Sequence, residues 1–364
     1  MTGGPVIIMA GGTGGHVFPA LALARALRER EREVIWLGTR RGIEARVVPA
    51  EGIPVEWLSI GGLRGKGALT LLAAPVRLAR ALAEALSVMR RHRPDVVVGL
   101  GGFVSGPGGV AAWLCRRPLV IHEQNAIAGF TNRCLARLAR RVLTAVPGVF
   151  QPRTGAIEIG NPVRADIAAL APPSERFATR DGAVRVLVVG GSLGAARLNA
   201  SLPVAFAALA RAGVSIDVRH QAGEKHIDAA RAAYAAAGVT ADVTPFIADM
   251  AAAYGWADLV VCRAGALTIA ELAAAGVGAL LVPYPHAVDD HQRHNAAYLV
   301  GGGAATLVPD RELTAERATS ELAALCGDRA RLLAMATAAR ALARPAATQD
   351  LLRHCLETAA EARA

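Results

Sequence analysis

Two apolar runs, one near the start of the chain and one just past its middle, each break into a glycine-rich turn. Val6-Ile7-Ile8-Met9-Ala10 runs into Gly11-Gly12-Thr13-Gly14-Gly15-His16, and Val186-Leu187-Val188-Val189 runs into Gly190-Gly191-Ser192-Leu193-Gly194. Glycine lets the backbone turn tightly, and the bare N–H groups and dipole of the following helix favour a phosphate or another anion. One such turn is a weak signal. Two of them, 179 positions apart from Gly11 to Gly190, point to two Rossmann-like halves facing each other across a cleft, where chemistry is expected.

The rest of the chain keeps the same rhythm. Strand-like runs stand at Glu33–Gly38, Asp95–Leu100, Leu119–His122 and Val142–Ala145, then at Val184–Val189, Ile216–His220, Val243–Phe246, Leu259–Cys262 and Ala279–Pro283. Between them lie Ala/Leu/Arg-rich segments of helical period such as Val17–Arg32, Leu69–Arg93 and Leu198–Ala212. Several strands are apolar on consecutive residues, as parallel strands covered on both faces are. The predicted class is α/β, with two doubly wound parallel-sheet domains. The pattern breaks at Gly160-Asn161-Pro162. That predicts an N-terminal domain over 1–162, a C-terminal domain over 163–342, and a last helix within 343–364 packing back on the first domain.

At 364 residues and 53% hydrophobic content the chain has ample material for two cores. Its five cysteines are scattered with no Cys-x-x-Cys pair, which argues against a disulfide framework or structural zinc and fits a reducing cytosol. No secretory-signal pattern precedes the first strand. The longest near-apolar stretch, Leu272–Pro285, is too short and too rich in glycine and proline to span a bilayer. A soluble or surface-bound protein is expected. Residues 1–160 carry 21 Lys/Arg against 10 Asp/Glu, a net of +11, while 161–364 carry 19 against 20, a net of −1. The basic excess of one half suggests an anionic partner for it; an arginine-rich solvated surface is the plainer account.

Candidate chemistry gathers where strands end. His16 closes the first glycine turn and is a candidate general base; the alternative is a histidine bonded only to its own loop. His122-Glu123-Gln124-Asn125 follows a strand with four hydrogen-bonding side chains suited to reading hydroxyls and amides. Glu271 lies one turn into the helix opened by Arg263–Glu271, where it either favours the helix N-terminus or accepts both hydroxyls of a ribose. Asp289-Asp290, ahead of His291-Gln292, reads most simply as a helix cap. Absences matter too. The chain has no Asp-x-Asp and no phosphate loop, since Gly61–Gly67 lacks a hydroxyl residue after Lys66. The dinucleotide fingerprint fails at Val17, and Gly38-Thr39-Arg40 offers no acid, so only Arg40 or Arg41 keeps an NADP reductase in view.

The motifs together resemble a family. Gly11–Pro19 (GGTGGHVFP), Gly101–Pro107 (GGFVSGP), His122–Asn125 (HEQN), Gly160–Arg164 (GNPVR), Gly190–Ala195 (GGSLGA) and Cys262–Glu271 (CRAGALTIAE) are similar, in order, to the MurG family of bacterial peptidoglycan glycosyltransferases. The resemblance covers residues 5 to roughly 340. It implies the GT-B fold and inverting transfer of N-acetylglucosamine from its UDP carrier to the 4-hydroxyl of the N-acetylmuramyl residue of lipid I, giving lipid II. For the donor it implies Arg164 and Ser192 near the pyrophosphate, the backbone of Ile247 on uracil and Glu271 on the ribose. Ala266, Leu267, Thr268 and Gln292 would line the sugar and phosphate pocket, with Thr13, Gly14, Gly15 and Asn125 added from the first half. The first half would bind the acceptor, its glycine turn suiting the lipid pyrophosphate. His16 is the favoured base and Glu123 the alternative. Phe103 stands where the family often has tyrosine, so that hydroxyl's hydrogen bond is absent here.

No metal, cofactor or nucleic acid is called for by the resemblance. Its partners would be UDP-N-acetylglucosamine, lipid I, an anionic membrane surface on the cytoplasmic face and other cell-wall synthesis proteins. Leu63–Arg93 is the candidate membrane-facing segment, with Leu63, Leu69, Leu71, Leu72, Val76, Leu78, Leu82 and Leu86 set among Arg64, Lys66, Arg77, Arg80, Arg90, Arg91 and Arg93. Three other functions compete. A UDP-N-acetylglucosamine 2-epimerase needs no basic lipid-facing domain, an NADP reductase fails the fingerprint, and a non-enzymatic nucleotide-sugar binder has no use for the polar first-half loops.

Overall fold

A computed structural model describes residues 3–61, 74–191 and 195–363. The chain divides into Met1–Val163 with Pro345–Ala364, and Arg164–Arg344. Among the described residues, the first unit holds β1 (Val6–Met9), β2 (Val34–Gly38), β3 (Val55–Trp57), β4 (Val96–Gly99), β5 (Leu119–Glu123), β6 (Arg141–Thr144) and β7 (Ile157–Glu158). These pair in parallel in the order β3-β2-β1-β4-β5-β6-β7. The second unit holds β8 (Val184–Val189), β9 (Ile216–Gln221), β10 (Asp242–Thr244), β11 (Leu259–Cys262), β12 (Gly278–Leu281) and β13 (Ala305–Leu307), ordered β10-β9-β8-β11-β12-β13 and again parallel. Each sheet reverses its winding direction once, between β1 and β4 and between β8 and β11. Ligands of such sheets bind outside the strand ends at that point.

The apolar runs form central strands because both faces are covered. Val6 and Ile8 of β1 and Val96 and Val98 of β4 enter one core layer, while Ile7, Met9 and Val97 enter the other. That two-residue alternation is the pleat itself. β3, β7 and β13 were not expected from the sequence. Each is two or three residues long and lies at a sheet edge, too short to show a period. β5 takes in His122, as the run Leu119–His122 predicts, and runs one residue further, so Glu123 belongs to it rather than following it.

The last helix, Ala347–Glu361, packs Leu351, Leu352, Cys355 and Ala359 into the layer that covers β1 and β4. Arg141 on β6 ties it down, bonding Glu357 at 2.5 Å and pairing with Glu361. In the second unit, Arg176 donates to the carbonyls of Ala275 (2.8 Å) and Gly276 at the end of helix Ala266–Ala275, and to that of Tyr254 (3.2 Å). A cation on those orphan carbonyls anchors the helix that carries Glu271.

Two buried histidines make both units sensitive to acid. His220 donates from Nε2 to Asn199 Oδ1 (3.0 Å) and accepts at Nδ1 from Tyr234 (2.8 Å), because Asn199 Nδ2 is itself spent on the carbonyl of Ala222 (3.1 Å). Burial pushes His220 down to about 4, and His122 in the first unit likewise to about 4, from the ordinary 6.5. Below 6.5 the unfolded chain takes up protons that the folded one refuses. The stabilisation is therefore complete above 6.5 and lost as the pH falls toward 4, at about 1.4 kcal/mol per pH unit per histidine. Urea midpoints should drop between about pH 7 and pH 5, and His220→Gln should shallow the drop in the second unit. A midpoint flat over that interval contradicts the assignment.

Candidate active site

In the first unit the turns after β1 and β4 are pressed together. Gly102 has φ +85°, and a Cβ there would lie 2.4 Å from the carbonyl oxygen of Gly11. Gly101 has φ +103°, and its Cβ would lie 2.5 Å from His16 Nδ1. Only glycine permits this approach. Thr13 caps helix Gly14–Glu29 by backbone alone, so Thr13, Gly14, Gly15 and His16 all stand at the carboxyl edge of the sheet. His16 is half-buried, with Nδ1 3.2 Å from Gln124 Oε1. Glu44 holds the turn from beneath. Its fully buried carboxylate accepts from the N–H of Gly12 (2.9 Å) and from the N–H (3.1 Å) and hydroxyl (2.8 Å) of Thr39. The expected use of this turn for a lipid pyrophosphate is thereby narrowed. Gly12's N–H already serves an anion of the protein, leaving the first N–H groups of the helix itself.

Three of the four polar residues at 122–125 are buried. His122 bonds the carbonyl of Gly160 through Nε2 (2.9 Å) and is neutral at physiological pH. The Glu123 carboxylate accepts from Asn125 N (3.0 Å), Asn125 Nδ2 (3.1 Å), Gly129 N (3.1 Å) and Asn132 Nδ2 (2.8 Å). Four donors occupy its two oxygens, so Glu123 shapes the loop around Asn125 and does not stand open as a base. Phe103, on the loop after β4, is exposed.

Apart from Arg164, which opens the second unit, the described second-unit candidates lie in the segments that follow β10, β11 and β12. Ser192 lies outside the described residues. Ile247 lies in the loop after β10, and Ala266, Leu267 and Thr268 form the first turn of the helix after β11, all half-buried. Glu271, further along that helix, is 7% exposed and accepts from Arg164 (3.3 Å) and from the hydroxyl of Tyr254 (3.2 Å). Burial raises its carboxyl above the usual carboxylate range, with Arg164 opposing most strongly. Gln292 Oε1 accepts from Ala264 N (3.1 Å) and Tyr284 N (2.8 Å), which turns its NH2 group outward as a donor. The Asp pair is not the side-chain cap expected. Asp290 precedes helix His291–Gly301 with φ +52° and makes no capping bond.

The structure thus joins Arg164 to Glu271 in one unit, and His16 to the loop carrying Asn125 in the other. Sequence reasoning missed Glu44, Gln124 as an individual residue, and Tyr254. Glu44 and Tyr254 sit in stretches without any motif, RRGIEARV and MAAAYGW, and only the fold brings them in. Of the proposed membrane segment, 63–73 lie outside the described residues. In helix Ala74–His92, Leu82 and Leu86 pack on the core, while Val76 is 73% and Leu78 49% exposed. Among the described residues no helix is long and apolar enough to cross a membrane, and no group of three or more His, Cys, Asp or Glu is placed to hold a metal ion.

Comparison with known proteins bears on the family and the fold. Residues 6–144 match the glycosyltransferase family 28 N-terminal domain and residues 185–351 the family 28 C-terminal domain. The enzyme of Marinobacter nauticus named UDP-N-acetylglucosamine--N-acetylmuramyl-(pentapeptide) pyrophosphoryl-undecaprenol N-acetylglucosamine transferase is 60% identical over 353 residues, 97% of each chain. The enzyme of the same name from Alkalilimnicola ehrlichii is 58% identical over 355 residues, 98% of this chain and 99% of its own. The crystal structure of Acinetobacter baumannii MurG superposes with a TM-score of 0.85 at 42% identity, covering 97% of this chain and 99% of that one. A UDP-N-acetylglucosamine 2-epimerase structure from Listeria monocytogenes, at 14% identity and a TM-score of 0.65, shares the fold alone. With both family domains in order and relatives this similar over nearly its whole length, the chain belongs to glycosyltransferase family 28, among its MurG enzymes.

Proposed function

We propose that this chain transfers N-acetylglucosamine from UDP-N-acetylglucosamine to the 4-hydroxyl of the N-acetylmuramyl residue of lipid I, forming lipid II with inversion at the anomeric carbon. The observation that carries the reading is the pair of strand-end sites, one per unit. One holds a histidine bonded at Nδ1; the other holds a buried carboxylate beside an arginine. Glu271 takes the ribose hydroxyls, Arg164 and the start of the helix after the second glycine turn take the pyrophosphate, and Ile247 reads uracil through its backbone. Ser192 joins the pyrophosphate contacts. In the second unit Ala266, Leu267, Thr268 and Gln292 line the sugar and phosphate pocket; in the first, Thr13, Gly14, Gly15 and Asn125 are the residues assigned to the donor sugar.

His16 removes the proton of the acceptor's 4-hydroxyl as that oxygen bonds to the anomeric carbon. The bond from that carbon to the β-phosphate oxygen breaks, and UDP leaves with the electron pair. A single in-line displacement turns the donor's α configuration into β. Positive N–H groups at a helix start and the Arg164 guanidinium stabilise the leaving diphosphate as its charge grows. Glu123 takes no proton in this scheme, since its oxygens are already bonded four times.

Incubating the chain with UDP-N-acetylglucosamine and a lipid I analogue should release UDP only when both are present. UDP released together with N-acetylmannosamine, with no acceptor added, would instead mark an epimerase.

The enzyme works at the cytoplasmic face of the membrane, bound reversibly through its first unit. Supporting this, Val76 and Leu78 are exposed on helix Ala74–His92 beside Arg77 and Arg80. The adjoining helix Ser105–Leu114 ends in exposed Trp113 and Leu114, followed by Arg116 and Arg117. Each basic residue near an anionic leaflet contributes about 1 kcal/mol, and the apolar side chains add shallow insertion. Sedimentation with vesicles should show binding that rises with anionic lipid and falls with salt. Equal partitioning onto neutral and anionic vesicles contradicts this placement.

A further inference from the structure

We infer that Gln124 is a positioning residue, its side-chain amide dictating which nitrogen of His16 carries the proton so that the Nε2 lone pair faces the acceptor hydroxyl. This rests on His16 being the base. Gln124 is 3% exposed, and its Nε2 donates to the carbonyl oxygen of Leu100 at 2.7 Å. A carbonyl only accepts, so turning the amide over would set two oxygens against each other in a buried place. The amide's orientation is therefore dictated by the backbone. Its other end, Oε1, lies 3.2 Å from His16 Nδ1. That oxygen also only accepts, so Nδ1 must carry hydrogen, and in the neutral ring the lone pair falls on Nε2. Once Nε2 has taken a proton, Nδ1–H and its bond to Gln124 are unchanged. The ring can gain and lose the proton without turning over.

Both sides of the contact are braced. The Gln124 carbonyl accepts from Asn161 Nδ2 at 3.1 Å, and Gly101, next in sequence to Leu100, lies so close to the imidazole that a Cβ there would sit 2.5 Å from Nδ1. One backbone turn thus orients the amide at Leu100 and seats the ring at Gly101. In the absence of an oriented acceptor, a free imidazole favours the Nε2–H form, which has no lone pair where the acceptor needs it.

The test is nitrogen NMR on the full chain labelled with ¹⁵N-histidine, at a pH high enough to hold the rings neutral, with kinetics of two variants. Wild type should show His16 protonated at Nδ1 and bare at Nε2. Folded Gln124→Leu should shift His16 toward the Nε2–H form and lower kcat about 10–100-fold with UDP affinity unchanged, a share of the usual general-base contribution. Gln124→Glu should keep Nδ1–H. Its carboxyl, set against the Leu100 carbonyl, should hold a proton that it donates there while its other oxygen accepts from Nδ1, so kcat should stay within a few-fold of wild type. A bare Nδ1 in wild type overturns the proposal, as does a folded leucine variant that keeps both tautomer and kcat. If His16→Ala keeps its kcat, the reading of His16 as base fails separately, and the NMR result on wild type still judges what Gln124 does to the ring.

Discussion

His16→Ala should lower kcat by about 10²–10⁴, the usual contribution of a general base, while donor affinity barely moves. The two parameters separate because the imidazole acts on the acceptor's proton, whereas the residues proposed to bind the nucleotide lie in the other unit. An interaction made only in the transition state lowers kcat and kcat/KM together. The variant should also lose the acidic limb of its pH–rate profile, since no protonated imidazole remains to be titrated. Packing is a small concern: His16 is only half-buried, and among the described residues its side chain bonds Gln124. If kcat stays within a few-fold and the acidic limb persists, His16 is structural. Glu123 would then have to take the proton at the expense of its four loop bonds.

Glu271→Ala should weaken UDP and UDP-N-acetylglucosamine equally, by about 2–4 kcal/mol, because hydrogen bonds to a charged group contribute about 1.5–3 each and do not add fully. That is roughly 30- to 1000-fold in Kd. Part of the loss comes from the neighbours. Tyr254 would be left with a buried hydroxyl lacking its acceptor, and Arg164 would lose the partner that now holds it. 2′-Deoxy-UDP separates these contributions. Wild type should bind it more weakly than UDP, and the variant should bind the two alike. A variant that still discriminates between them, measured by calorimetry, rules out the ribose role. Glu271→Gln, which keeps one acceptor oxygen, should fall between.

The parts legible from sequence were those written in contiguous residues. β8 and β11 match the expected bounds to the residue, because short apolar runs closed by glycine or by a polar turn leave little choice. The first glycine turn and His16 were legible for the same reason, sitting at the end of β1, whereas Glu271 was read from the helix opened after β11 and Arg164 came only with the family motifs. What stayed hidden depends on contacts between distant segments. Glu44 meets Gly12 across 32 positions and Gln124 meets His16 across 108, and no local pattern marks either pair. Glu123 shows the converse. Its type and place suit a base, but the four donors that occupy it come from a loop conformation its sequence does not display.

The most direct test is the chemical structure of the product. Purified chain, UDP-N-acetylglucosamine and a lipid I analogue should yield one disaccharide whose anomeric proton and long-range carbon couplings, read by NMR, show N-acetylglucosamine joined β to the 4-oxygen of the N-acetylmuramyl ring. An α linkage would contradict the single displacement. Free N-acetylglucosamine or N-acetylmannosamine with the acceptor untouched would contradict the transfer itself.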